Sequence, residues 1–461
     1  MSSKEKTKTT KMYHALISVV LMVGMMFGCI VGLDLTPQIP LVFGTFVAGV
    51  VAIWIGYSWD EILEGMINGI VNSLEAILIL LLIGMLVGSW IASGTVPSLI
   101  YYGLQIVSPQ IFLPATMIIC MIVSLAIGAW GTVGTIGLAF MGIGIALNIP
   151  SPLVAGAIVS GSYMGDVVSP LSDATNLTAA VSNADVFKIV KKMLPLALIV
   201  AVASVAAYAL VGLNYSGGEM GSSISELSEN IASQFHVSPI AIIPLAVMVL
   251  CIILKLPAIP SMFIGSVGGM IIAVLYQGQG LSQVLECAFS GYVCESGNEL
   301  IDNLLTAGGM EGMLNSISII IIAMAYGGLM RSTKQMEVLV RPIISRLHSS
   351  GSMNFVTVIT CIFMNILLPD QYLGISMPAQ MYADEYEKRG ISRELLACGL
   401  RGGGAVTSPL IPWNTCGIYC MTILSVAPTS YLPYAFFCLA LPVATVIYGF
   451  GGQIFAKMKK A

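Results

Sequence analysis

Two carboxylates seven residues apart, Asp166 and Asp173, stand in the stretch GSYMGDVVSPLSDATNL at 161–177, among Ser169, Ser172, Thr175 and Asn176. Pro170 breaks any continuous helix through it, because the proline ring removes a donor and clashes with the preceding turn. A second set lies far along the chain: Asp370 and Gln371 in PDQYLGISMPAQ, Arg401 in RGGGAV, and Thr407, Ser408, Asn414 and Thr415 in TSPLIPWNTCG. Thr132 belongs to GAWGTVGTIG at 128–137, where Gly and Thr replace the Leu of an ordinary membrane helix and mark close packing or a break. Hydroxyl, amide and freed main-chain oxygens are hard ligands suited to a small cation such as sodium. A carboxylate for which sodium and protons compete is by itself an exchange device. Helix N-termini beside the breaks equally suit an organic carboxylate. The residues permit a cation exchanger or an anion transporter, and Arg401 needs either a carboxylate partner or an anionic substrate.

Each residue also has a structural role open to it. Asp173 could cap the helix that follows, and Asp370 could cap a helix over 371–386. Asp166 could sit solvated at a water-filled mouth, the charged run 384–393 reads as a solvated loop, and Trp413 reads as a packing or interfacial residue.

Such polar stretches need an unusual setting. The chain has 461 residues, 57% hydrophobic and only 9% charged, with a mean hydropathy of +0.93. A soluble domain carries about 25% charged residues, so the chain is a polytopic membrane protein. A charged Asp at mid-bilayer costs roughly 2.5–3.5 kcal/mol on an insertion scale, and irregular backbone survives at depth only where it lines a cavity. Apolar runs recur at 14–34, 38–57, 76–90, 97–107, 112–127, 138–148, 151–160, 193–213, 237–254, 258–276, 315–330, 353–368 and 432–454. The charged N-terminus precedes a full-length apolar run without a cleavage signature, which reads as a retained first span. A polar, amphipathic stretch at 281–312 holds Glu286, Glu295, Glu299, Asp302 and Glu311. Ten cysteines, mostly within apolar runs, show no metal or disulfide spacing and read as small buried hydrophobes. His14, His236 and His348 fall near segment ends, which leaves carboxylates as proton carriers. There is no phosphate-binding loop of the Gly-x-x-x-x-Gly-Lys type and no catalytic constellation, so ATP-driven pumping and enzymatic function are disfavoured.

Basic residues favour the cytoplasmic side. The N-terminal lysines, Lys188 to Lys192, Lys255, Arg331 to Arg346 and the C-terminal lysines are therefore expected inside, and the loop 214–236, with Glu219, Glu226 and Glu229 but no Lys or Arg, outside. Each half then crosses an odd number of times. The halves also match: Ser169-Pro170-Leu171 recurs as Ser408-Pro409-Leu410, an offset of 408 − 169 = 239 residues. That offset lays the polar break at Thr132 on Gln371 and the span 193–213 on 432–452. Two similar halves with odd span counts sit in opposite orientation. The expected fold is all-α, with two inverted-topology repeats, re-entrant hairpins and broken helices: a first repeat over 1–213, an extracytoplasmic linker over 214–236 and a second repeat over 237–461.

SGSYMGDVVSPLSDATNL at 160–177, PDQYLGISMPAQMY at 369–382 and TSPLIPWNTCG at 407–417 together resemble the NhaC family of sodium/proton antiporters, over nearly the whole chain from about residue 14. The resemblance implies sodium/proton antiport. It also implies an elevator-like movement against a dimeric scaffold and similarity of some members to malate/lactate antiporters. On matching motif positions stand Asp166, Ser169, Asp173, Thr175, Asn176, Asp370, Gln371, Thr407, Ser408, Asn414 and Thr415. One departure is that many members carry an acidic pair where this chain reads Leu400-Arg401-Gly402-Gly403-Gly404, which favours an anionic or zwitterionic substrate.

The reading is a secondary transporter of the cytoplasmic membrane that exchanges sodium for protons, with both termini cytoplasmic. Asp166 or Asp173 is the expected competed carboxylate, and Asp370 the second candidate. Asp173, Asn176, Asn414 and Thr415 form the expected sodium shell, completed by Ser172 and the other hydroxyls. The alternative is sodium- or proton-coupled transport of a small organic acid held by Arg401. No cofactor beyond the transported ions and no nucleic acid is expected; the partners are the lipid bilayer and, by resemblance, a second copy of the chain.

Overall fold

Apolar runs long enough to cross a bilayer must satisfy their main-chain groups internally, and this chain does so with helices. The computed structural model describes residues 8–33, 35–106, 108–215, 228–254, 256–298, 301–302, 305–344, 349–368 and 370–458. The loop carboxylates Glu219 and Glu226 lie outside the described residues, as do Lys255, Glu299, Arg346, His348, Lys459 and Lys460.

The first half comprises ten helices: α1 (Met12–Phe27), α2 (Gln38–Ile55), α3 (Trp59–Val71), α4 (Leu74–Ala92), α5 (Thr95–Ile106), α6 (Pro109–Thr132), α7 (Leu138–Ala146), α8 (Ser151–Val168), α9 (Asp173–Ser182) and α10 (Val186–Gly212). The second half adds α11 (Ile243–Ile253), α12 (Ala258–Leu275), α13 (Leu281–Ser290), α14 (Leu314–Ser332), α15 (Gln335–Ile344), α16 (Ser350–Leu367), α17 (Gln371–Lys388), α18 (Arg393–Leu400), α19 (Thr415–Leu424) and α20 (Phe436–Met458). Among the described residues, six helical segments are long and apolar enough to span a membrane, and eight if two sharply bent pairs each count as one span. One such pair bends by 63° between Pro428–Tyr434 and Phe436–Gly451. The amphipathic stretch at 281–312 begins with α13, and beyond it Tyr292 pairs with Ala307 in an isolated antiparallel bridge.

Local chemistry sets the boundaries. Gly56, at φ 111°, ends α2 in a left-handed conformation that suits glycine, and Ser58 with Glu61 forms a capping box that starts α3. Asp185 caps α10 by accepting from the Lys188 N–H at 2.9 Å. Exposed Phe43, Phe46, Val50 and Trp54 give α2 the apolar outer face that a lipid-facing helix needs.

The helices pack in two groups. In the outer group α2 and α3 lie against α14, and α12 and α13 lie against α4. In the inner group α8 lies against α6 and α10, α20 against α16 and α10, and α17 against α16 and α9. The closest crossings depend on missing side chains. A Cβ at Gly161 or Gly165 of α8 would come within 2.3 Å of the Met117 or Met121 carbonyl of α6. Those two glycines bring α8 against α6 and so place Asp166, one residue further on, at the inner group's centre. Nine of the ten cysteines are buried and none is in a disulfide.

Candidate functional site

Gly128 starts the site. It adopts φ 71° and ψ 177° within α6, a conformation that a β-carbon would strain, and so breaks the helical path. The turn after it is a fresh helix start whose first N–H groups lack helical partners. One of these, Ala129 N–H, donates to Asp166 Oδ1 at 3.3 Å. Thr132 is buried, with its hydroxyl donating back to the Gly128 carbonyl at 2.8 Å.

Opposite stands Arg401. It opens a π-helical turn, Arg401–Ala405, that continues α18, and its side chain is fully buried. Its Nη2 donates to Asp166 Oδ2 at 2.9 Å and to the Asp166 carbonyl at 2.7 Å. The same carbonyl accepts from the Thr175 hydroxyl at 3.3 Å. A guanidinium at the C-terminal end of α8 meets both a carboxylate and the negative end of the helix. Asp166, 6% exposed, is therefore a paired group across the two halves rather than a solvated one at a mouth. Arg401 Nε and Nη1 are buried without a hydrogen-bond acceptor.

The rest of the first break is more open. Ser169 is buried and donates to the Leu125 carbonyl at 2.6 Å. Ser172, not Asp173, is the N-cap of α9, accepting from Thr175 N–H at 3.3 Å. Asp173 is exposed in the first helical turn, and the charges of Glu75 and Asp166 act on it. Asn176 is exposed, and its amide donates to the carbonyls of Ser172 at 3.0 Å and Pro170 at 3.3 Å.

The second break is closed. Asp370, 7% exposed, caps α17 as the sequence allows, accepting from Leu373 N–H at 2.8 Å. Gln371 Oε1 lies 3.1 Å from the Ser408 hydroxyl and accepts from the Cys416 thiol at 2.7 Å. Asn414 caps α19 by accepting from Cys416 N–H at 3.1 Å, and its amide donates to the Asn365 carbonyl at 3.3 Å. Thr407 and Thr415 are buried beside them. Of the four residues expected to share a sodium ion, Asp173 and Asn176 are thus exposed on α9, whereas Asn414 and Thr415 are buried at the start of α19.

This arrangement, two interrupted helical segments that bury opposed polar groups, is the layout of an ion-coupled transporter. The sequence pattern of the Na+/H+ antiporter family matches residues 161–453, from the first break to the last helix. The chain belongs to the Na+/H+ antiporter family. The antiporter is 36% identical over 423 residues to the malate-2H+/Na+-lactate antiporter of Bacillus subtilis, covering 91% of this chain and 90% of that protein. It is 36% identical over 444 residues to the arginine/ornithine antiporter ArcD of Halobacterium salinarum, covering 95% and 92%. With the Na+/H+ antiporter NhaC of Alkalihalophilus pseudofirmus it shares 33% identity over 438 residues, covering 94% and 95%.

Other side chains complete the antiporter's site. Trp130 stacks on Tyr419 with ring centroids 4.3 Å apart and donates to Cys416 Sγ at 3.4 Å, joining the halves. Trp413 packs by donating to the Ile366 carbonyl at 2.7 Å. Asn365, an amide near the end of the apolar run 353–368 that also holds Asn354, is flagged by polarity. The charged run 384–393 is helical up to Lys388, with Glu385 bonded to Lys388 and Arg389, which hold its carboxyl below the usual range.

Proposed function

We propose that the antiporter exchanges sodium for protons across the cytoplasmic membrane by alternating access, and that Asp370 is the carboxylate for which the two ions compete. One observation carries this assignment: Asp166 has a resident counter-charge in Arg401 at 2.9 Å, whereas Asp370, equally buried, has no ion-pair partner among the described residues. A buried carboxylate without a counter-charge is costly, and a proton or a bound cation relieves that cost. Gln371, Ser408, Thr407, Asn414 and Thr415 belong to the same break and carry the neutral oxygens that a sodium ion takes.

The helix order supports the two inverted repeats. The offset of 239 carries α4 (Leu74–Ala92) to 313–331, within one residue of α14, and α5 (Thr95–Ile106) to 334–345, within one residue of α15. The packing is reciprocal as well: α2 and α3 of the first half cover α14 of the second, and α12 and α13 cover α4. With that symmetry go the boundaries at 1–213, 214–236 and 237–461, the cytoplasmic termini and the paired copies that the resemblance implies.

A second reading is favoured by Arg401. Its open nitrogens, Nε and Nη1, would donate to a carboxylate, and one relative is named for malate and lactate. Purified protein in sealed liposomes with an imposed proton gradient separates the two. Sodium alone collapsing the gradient supports cation exchange; a response that requires malate or lactate supports coupled transport of an organic acid.

A further inference from the structure

Asn365 lies outside every sequence motif and is fully buried in the last turn of α16. Its amide nitrogen donates to the Gly404 carbonyl at 2.6 Å and to the Thr407 hydroxyl at 3.0 Å, both beside the π-helical turn. Its main-chain carbonyl accepts from Asn414, and the next carbonyl, of Ile366, accepts from Trp413. With the nitrogen engaged on two acceptors the amide cannot flip, so the direction of Oδ1 is set. That oxygen faces the first turn of α17, where a Cβ on Gly374 would lie 2.1 Å from it. Gly374 in turn donates its N–H to the Asp370 carbonyl at 3.0 Å, one helical turn from the Asp370 cap.

Asn365 Oδ1 is buried and has no hydrogen-bond donor among the described residues. A buried amide oxygen without a donor is destabilising, and native folds rarely leave one in that state. A cation at the start of α17 would give the amide oxygen a partner and Asp370 an ion-pair partner.

We propose that Asn365 Oδ1 is a direct ligand of the transported sodium ion, delivered from α16 to the start of α17. The assignment rests on the reading that Asp370 exchanges sodium for protons. Asn365 then does two things: its nitrogen positions Gly404 and Thr407, and its oxygen contributes to the ion's shell. Gly374 is the complementary feature, the only side-chain size that leaves the oxygen its place.

Two variants separate the ligand role from the positioning role. Asn365→Ala removes the oxygen and the nitrogen, whereas Gly374→Ala crowds the oxygen and leaves the residues that bind the nitrogen intact. In proteoliposomes with an imposed proton gradient, each variant is expected to raise the sodium concentration for half-maximal exchange by about ten-fold or more. Each is also expected to change the preference for sodium over lithium and to shrink the sodium-induced rise in melting temperature of the purified protein. A purely positioning residue would lower the maximal rate with the sodium dependence and the lithium ratio unchanged, and that result overturns the assignment. Should Asn365→Ala not accumulate, an unaltered sodium dependence in Gly374→Ala has the same force. Wild-type protein that ignores sodium removes the exchange reading and the ligand assignment together; unaltered variants beside a responsive wild type remove the ligand assignment alone.

Discussion

The two breaks carry related motifs and treat their carboxylates in opposite ways. At the first, Asp166 is locked to Arg401 of the other half and Asp173 faces out. At the second, Asp370 is a buried helix cap with no ion-pair partner among the described residues. Arg401 makes the difference. A guanidinium in the middle of one break supplies a permanent cation there, and only the other break is left in need of one. Under the proposed exchange at Asp370, similar motifs hold one structural charge and one exchangeable charge.

The strongest way to break that comparison is Asp370→Asn. Asparagine caps a helix about as well as aspartate, so the melting temperature should stay close to wild type, while sodium-driven proton movement in liposomes falls by about 100-fold or more, an electrostatic loss of nearly 3 kcal/mol. Retained exchange would move the coupling charge back to the first break.

Arg401→Gln should act on stability first. Removing one partner of a buried pair costs about 3–5 kcal/mol because the other charge is left uncompensated. Thermal unfolding should therefore shift strongly downward, and the double variant Arg401→Gln, Asp166→Asn should recover most of the loss. A single variant as stable as wild type would mean that the pair is not the structural half of the comparison.

Gly128→Ala tests the same pair from behind. Its φ of 71° disfavours a side chain, and the new Cβ would meet Asp166 Oδ1 at 3.3 Å. The expected cost is about 1–2 kcal/mol, read from the unfolding midpoint. The smallest effect is expected at Asp173. Because Ser172 provides the cap and Asp173 is exposed, Asp173→Asn should change transport and stability by no more than about two-fold in the respective equilibrium or rate. Abolished exchange would restore Asp173 as a coupling carboxylate and erase the contrast between the breaks.

Much of the architecture is legible along the chain because membrane helices announce themselves locally. The apolar run 38–57 became Gln38–Ile55, 258–276 became Ala258–Leu275, and 315–330 became Leu314–Ser332. The cap at Asp370 was also readable, since the preference of a short acidic side chain for a helix start depends on a few adjacent residues. Capping at the first break was displaced by one residue, to Ser172, because both Ser172 and Asp173 suit the position and only the path of the turn after Pro170 selects between them.

What the sequence by itself determined is a polytopic helical chain with two polar interruptions at a spacing of 239 residues, the family to which it belongs, and the residue types available for ion chemistry. Only the tertiary structure decided which of those residues meet. Arg401 and Asp166 are 235 residues apart and touch because Gly161 and Gly165 let α8 sink against α6 while the π-helical turn after α18 aims the guanidinium across the halves. Asn365 gains its meaning from Gly374 and Gly404, neither of which has a side chain to advertise the contact. Pairing across the fold depends on the close approach of distant backbones, which no local pattern of hydrophobicity or charge encodes.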